Sequence, residues 1–165
     1  MDKFNIKDIV IRNDLKPGDI GYITYLHGIL YSQEYNYGIE FESYVAAGLQ
    51  EFFQNYNHLN NRAWICEHDR KIVGFLLLMK RDYSAQLRYF ILLPEYRGIG
   101  LGKKLIDLFM EFLLECGYKH AYLWTTNELH SAAHLYLKYG FKLSEEKKSD
   151  AFGKYLTEQK YDLYL

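Results

Sequence analysis

The chain has 165 residues, 49% of them apolar and 25% charged, which suits one compact core over residues 1–165 and is too short for two ordinary domains. That balance argues against disorder, and a net charge of −1 lacks the basic footprint of a dedicated nucleic-acid binder, so no nucleic-acid partner is expected. The opening MDKFNIKDIV has no apolar core or small-residue cleavage site, and the longest apolar run, residues 72–79, is far short of a membrane span. Cys66 and Cys116 lie in apolar runs without metal-ligand spacing, and read as reduced residues of a cytoplasmic protein with no metal.

Residues 4–12 (FNIKDIVIR) alternate well enough for a strand, and Lys16-Pro17-Gly18-Asp19 is a turn. Residues 20–38 begin β-branched and aromatic and then tolerate helix better; a short extended piece is expected over 22–26 and a helical turn or two over 29–35. Many of the 17 tyrosines fall here (Tyr22, Tyr25, Tyr31, Tyr35, Tyr37, Tyr44), fitting either core filling or an aromatic, hydrogen-bonding pocket. Over 40–53, Phe41, Val45, Leu49 and Phe52 recur at helical spacing. Residues 62–68 and 71–80 are two strands of a hairpin turning at His68-Asp69-Arg70. Residues 84–93 (SAQLRYFILL) form a largely apolar strand stopped by Pro94.

A helix follows over 100–117, with Leu101, Leu105, Leu108, Phe112 and Cys116 on one stripe and Gly117 as its cap. Then come a strand over 120–125, a helix over 129–139, a strand from Phe141 and a last strand over 154–165. Interleaved helices and strands with hairpins at both ends give an α/β (α+β) chain built on a mixed sheet with helices on both faces, not a doubly wound parallel one.

The segment 92–104 (LLPEYRGIGLGKK) carries the chemistry. It follows an apolar strand and opens a helix, where the first backbone N–H groups lack internal partners and the dipole favours anions. Gly98, Gly100 and Gly102 let the backbone approach a phosphate, and Lys103 and Lys104 add charge. The spacing fits neither the dinucleotide fingerprint nor the P-loop, where Lys104 stands in place of the hydroxyl.

Arg97-x-x-Gly100-x-Gly102 after an apolar strand and Pro94 resembles the acetyl-CoA loop of the GCN5-related N-acetyltransferase (GNAT) superfamily. Leu135-Tyr136-Leu137-Lys138-Tyr139-Gly140-Phe141 is similar to that family's tyrosine helix and the start of its next strand. More narrowly, LHGILYSQEY, FESYV, LWTTNELHSAAHLY and FGKYLTEQKYDLYL resemble the acetyltransferase half of bacterial proteins that fuse a MarR-type regulator to such a domain. No helix-turn-helix half is present here, so a DNA-binding role does not carry over.

The resemblance implies the GNAT fold: a central, mixed, mostly antiparallel sheet of six to seven strands flanked by helices on both faces. It implies acetyl-CoA as cosubstrate, with backbone groups of Ile91, Leu92 and Leu93 holding the pantetheine arm. Arg97, Gly98, Ile99, Gly100, Leu101, Gly102 and Lys103 would hold the pyrophosphate. Tyr136 would protonate the departing thiolate as general acid. Many members carry an asparagine seven residues before that tyrosine; here the position is Leu129, with Asn127 two residues earlier, and Asn127 is given no role.

A protonated amine must lose a proton before it attacks a thioester. Strand 84–93 offers Arg88 and Tyr89 but no carboxylate, so Glu34 or Glu42, in segments expected to roof the acceptor site, are the base candidates, with His27 beside them. His134 reads as structural and His130 as exposed. Glu34, Glu40 and Glu42 would draw a cationic amine, and aromatic walls would suit a small aromatic, amino-acid or polyamine-like acceptor or a peptide amine. The leading expectation is direct acetyl transfer to a primary amine, by a monomer or a homodimer without a membrane partner. A non-catalytic acyl-CoA sensor is the alternative.

Overall fold

The computed structural model describes residues 4–165; residues 1–3 of the opening segment lie outside it. Its elements are β1 (Val10–Arg12), α1 (Asp19–Tyr35), α2 (Ile39–Gln54), β2 (Arg62–His68), β3 (Lys71–Arg81), β4 (Ser84–Leu92), α3 (Leu101–Glu115), β5 (His120–Thr126), α4 (His130–Lys138), β6 (Lys142–Ser149) and β7 (Leu156–Tyr164). The seven strands form one sheet in the order β1-β2-β3-β4-β5-β7-β6. Only β4 and β5 run parallel. Among the described residues no helix is long and apolar enough to cross a membrane.

Two cores lie on opposite faces of this sheet. On one, Leu101, Leu105, Phe109 and Phe112 of α3 and Tyr136 of α4 pack on Trp64, Leu76, Leu78 and Leu123. On the other, Ile23 and Leu26 of α1 and Val45, Leu49 and Phe52 of α2 pack on Ile65, Phe75, Leu77 and Ile91. β3 feeds both, which is why eight consecutive residues of its run are buried. The stripe expected on α3 holds at Leu101, Leu105 and Phe112, while Leu108 and Cys116 sit at its margin and Ile106, Phe109 and Leu113 widen it. The two cysteines are free thiols.

Two expectations need correction. Residues 22–26 are not extended but lie within the continuous helix α1. Its β-branched and aromatic start has poor helix propensity, yet Asp19, Ile23, Leu26 and His27 fall on one buried face, and burial overrides propensity. The entry is anchored as well: Asp19 accepts the Lys16 N–H at 2.7 Å and takes a fork of bonds from Arg12 at 2.8 and 2.9 Å. In the opening segment the strand is short, because residues Ile6–Asp8 form a single 3-10 turn after Asn5, whose side chain accepts the Lys7 N–H. Only Val10–Arg12 pair with β2.

The hairpin turn places Asp69 and Arg70 both at positive φ (48° and 64°), the geometry of a two-residue turn matched to strand twist.

Candidate active site

The site begins with a defect in β4. Opposite β3, Leu77 pairs with Arg88 but Phe75 pairs with Ile91, so two steps on β3 span three on β4. The extra residue is a bulge at Tyr89, held at φ 56°. On the other side, β4 pairs with β5 only through Ala85–Ala121, Gln86–Tyr122 and Leu87–Leu123. Beyond Leu87 the two strands part, and the wedge between them opens into a cleft of about 560 Å³.

At one end of this cleft stands the loop into α3. Gly98 (φ 74°) and Gly100 (φ 89°) take left-handed conformations that an L side chain resists. The first inward bond of the helix is Lys104 N–H to Gly100 C=O, at 3.0 Å. Among the described residues, none of the backbone N–H groups from Gly98 to Lys103 has an acceptor in the protein. Consecutive unsatisfied donors at a helix N-terminus suit a di-anionic phosphate group. Of the residues expected here, Ile91, Leu92, Arg97, Gly98, Gly100, Gly102 and Lys103 line the cleft. Leu101 instead sends its side chain into the core, Ile99 packs against the same core, and Leu93 donates its N–H to Val73 C=O, at 2.9 Å.

Arg97 does not face the open donors. Its guanidinium grips Glu34 of α1 at 2.7 and 2.9 Å, and its Nε donates to Leu92 C=O at 3.2 Å. The pair clasps the loop to the helix above it, and both Glu34 oxygens are already engaged. Glu42 does not line the cleft; its side chain lies over Gly28, where an added Cβ would meet its Cδ at 2.9 Å. Of the two carboxylates considered as bases, Glu34 is thus engaged by Arg97 and Glu42 lies outside the cleft.

Tyr136 lies beneath the wedge, buried, with Phe90 and Tyr161 as aromatic neighbours. Burial pushes its phenol well above the usual range, so it stays protonated at neutral pH. Asn127 is used structurally, its side chain accepting the Thr157 N–H at 3.0 Å. His130 is exposed; His134, read as structural from the sequence, is exposed too but lines the cleft.

The other end of the cleft is aromatic. Tyr31, Tyr35, Tyr37, Phe41, Tyr44 and Phe152 form its walls, whereas Tyr22 and Tyr25 point outward and stack on each other. The tyrosine-rich first third therefore serves mainly as a pocket wall. The Tyr37 hydroxyl meets Thr126 Oγ1 at 2.7 Å, and Lys154 Nζ donates to Tyr35 C=O and Glu128, tying this roof to β5 and β7.

Three buried polar atoms lining this end have no partner: His27 Nε2, Tyr89 Oη and Thr125 Oγ1. His27 Nδ1 bonds Ile23 C=O at 2.8 Å, so it carries the proton and Nε2 keeps a free lone pair. Burial pushes the His27 ring down to about 4, leaving it neutral. The sequence could flag His27 only as one histidine among several; its orphaned nitrogen is a tertiary fact.

The model of the acetyltransferase (GNAT) family matches residues 25–141. The chain belongs to this family. Its segments are 35% identical over 98 residues to an uncharacterized N-acetyltransferase, YjgM, of Escherichia coli, covering 57% of this chain and 59% of that protein. The chain spans about half the length of the curated relatives it matches. Among solved structures, an acetyltransferase from Streptococcus agalactiae superposes with a TM-score of 0.73 at 22% identity, over 97% of this chain and 100% of that one. A GNAT family acetyltransferase from Elizabethkingia anophelis with acetyl-CoA bound superposes at 0.66 with 14% identity, over 96% and 99%. These likenesses show that the GNAT fold is shared.

Proposed function

We propose that the chain works as one acetyltransferase domain, transferring acetyl from acetyl-CoA directly to a primary amine. The observation that carries this reading is the run of unpartnered N–H groups from Gly98 to Lys103 opening on the wedge between β4 and β5. The run suits the donor's pyrophosphate, and the edge of β4 that β5 leaves unpaired beyond Leu87 suits its pantetheine amide groups.

In the reaction the amine nitrogen attacks the thioester carbonyl carbon, a C–N bond forms, and collapse of the tetrahedral intermediate breaks the C–S bond. Tyr136, kept protonated by burial, gives its proton to the departing sulfur. His27 lines the cleft with a free lone pair, whereas Glu34 is engaged by Arg97 and Glu42 lies outside the cleft; His27 accepts an N–H bond from the attacking nitrogen and then the proton that nitrogen sheds. No side chain in the cleft has the paired arrangement of an activated nucleophile, which favours direct transfer over an acyl-enzyme.

A thiol-release assay with acetyl-CoA and an amine panel tests the proposal. Amine-dependent release of free CoA, with the acetylated amine seen by mass spectrometry, is expected. Tight CoA binding with no amine-dependent release would reduce the protein to an acyl-CoA sensor.

A further inference from the structure

The acceptor end of the cleft contains a buried cation that shares its one carboxylate with a second arginine. The Arg88 side chain, on β4 immediately before the bulge, is only 9% exposed, and it lines the cleft. Its guanidinium carries five N–H donors. The acceptor recorded for them among the described residues is the weak Sδ of Met79, at 3.9 Å. The one carboxylate paired with it, Glu51, stands 3.7 Å away without a hydrogen bond and is held by Arg81 through both oxygens, so two cations share one anion. Tyr44 and Tyr89 place their ring faces 5.3 and 4.6 Å from the Arg88 carbon, which holds the group in place without satisfying its donors.

A buried, under-bonded charge is costly unless something completes it. The carboxylates lining the cleft do not: Glu34 is spent on Arg97, and Glu158 lies beside Lys147 at 3.8 Å. The acidic lure expected from Glu34, Glu40 and Glu42 is therefore absent from this end, and Arg88 gives it a positive character. A polycationic acceptor would meet a like charge there, since Glu51 offsets only one of the two guanidiniums. A carboxylate would meet a planar fork of donors matched to its geometry.

We propose that the acceptor is an amine that also carries a carboxylate, an amino-acid-like zwitterion, with Arg88 binding the carboxylate. The aromatic walls then hold its side chain, and the amine lies toward the wedge. This specifies the substrate class of the reading above and rests on it.

The test compares L-phenylalanine with phenethylamine, and L-lysine with cadaverine, as acetyl acceptors at saturating acetyl-CoA. A charge-assisted fork contributes at least about tenfold in kcat/KM, so each amino acid is expected to exceed its decarboxylated partner by that factor or more. In Arg88→Gln the ratio within each pair should fall toward one. Equal use of the two members by the wild-type protein would overturn the proposal, and so would a preference that survives in Arg88→Gln. Acetylation confined to peptide amines or spermidine would do the same.

Calorimetry on the CoA-loaded wild-type protein needs neither turnover nor a variant. N-acetyl-L-phenylalanine should bind at least about tenfold more tightly than N-phenethylacetamide. If no amine is acetylated, the transferase reading falls; the calorimetric comparison still decides for or against a carboxylate at Arg88.

Discussion

Gly48 of α2 and Tyr89 of β4 occupy the same small volume: a Cβ on Gly48 would overlap Tyr89 Oη and lie 2.7 Å from its Cζ and 2.9 Å from Arg88 Nη2. The absence of one side chain on a helix lets the bulged strand seat both residues at the aromatic end of the cleft. Gly48→Ala should therefore displace them together. Overpacking of this kind costs about 1–3 kcal/mol, partly offset by the roughly 1 kcal/mol that alanine gains over glycine in a helix. The expected outcome is a thermal midpoint lowered by a few degrees, an acceptor KM raised several-fold and an unchanged CoA affinity. An acceptor KM equal to wild type would show that the close approach has no bearing on the pocket.

The loop tolerates loss of its arginine better than loss of its backbone shape. At Gly100 an added Cβ would meet little, only Ile6 at 3.9 Å, so the obstacle to substitution is the backbone at φ 89°. A β-branched residue there costs on the order of 1–3 kcal/mol or forces the N–H groups out of line. Gly100→Val is expected to weaken CoA binding about tenfold or more. Arg97→Ala, which releases a clasp to Glu34 rather than a donor aimed at the anion, should weaken it less. Titration calorimetry with CoA ranks the two, and the reverse order would refute the assignment.

Tyr136→Phe removes the acidic proton while keeping the ring against Phe90, Phe141 and Tyr161. General acid catalysis contributes typically about 10²–10⁴-fold, so turnover should fall by about a hundredfold with CoA affinity nearly unchanged. Turnover within a factor of a few of wild type would return this tyrosine to a packing role.

His27 predicts an acid sensitivity with a definite sign. Its folded pKa, about 4, lies below the ordinary 6.5, because burial disfavours the imidazolium. The unfolded chain therefore binds the proton first as pH falls, and stability is lost from about pH 6.5 downward until about pH 4. By pH 5 the loss is about 2 kcal/mol, from the gap between those two values. Denaturant unfolding at pH 7.5 and pH 5 should show this slope in the wild type and a shallower one in His27→Gln. Parallel slopes would mean that the ring titrates normally.

Much of this was legible in the sequence, for reasons that differ by residue. The loop 97–103 announces itself because glycine spacing and an orphaned helix start are local properties, and the hairpin at Asp69-Arg70 is a matter of turn length. Residues 22–26 mislead because their intrinsic preference is extended, while the contacts of Ile23 and Leu26 that override it come from strands far along the chain. The bulge at Tyr89 carries no glycine to mark it. The pairing of Arg97 with Glu34 spans 63 positions, and the shared carboxylate of Arg88 and the orphaned nitrogen of His27 are defined by what other segments fail to supply. Residue types can be read one at a time, but satisfaction cannot.

The parting of β4 from β5 after Leu87 leaves the middle of the sheet joined by three registered pairs. β1 to β4 stand on one side of that seam and β5 to β7 on the other. A donor seated in the wedge would act as a removable piece of strand, lending amides to an edge that the polypeptide leaves bare. Occupancy and mechanical continuity then become the same variable. Amide protons along the seam should exchange with solvent more slowly when CoA is added, on both sides of it, and the protein should be softest when the wedge stands empty.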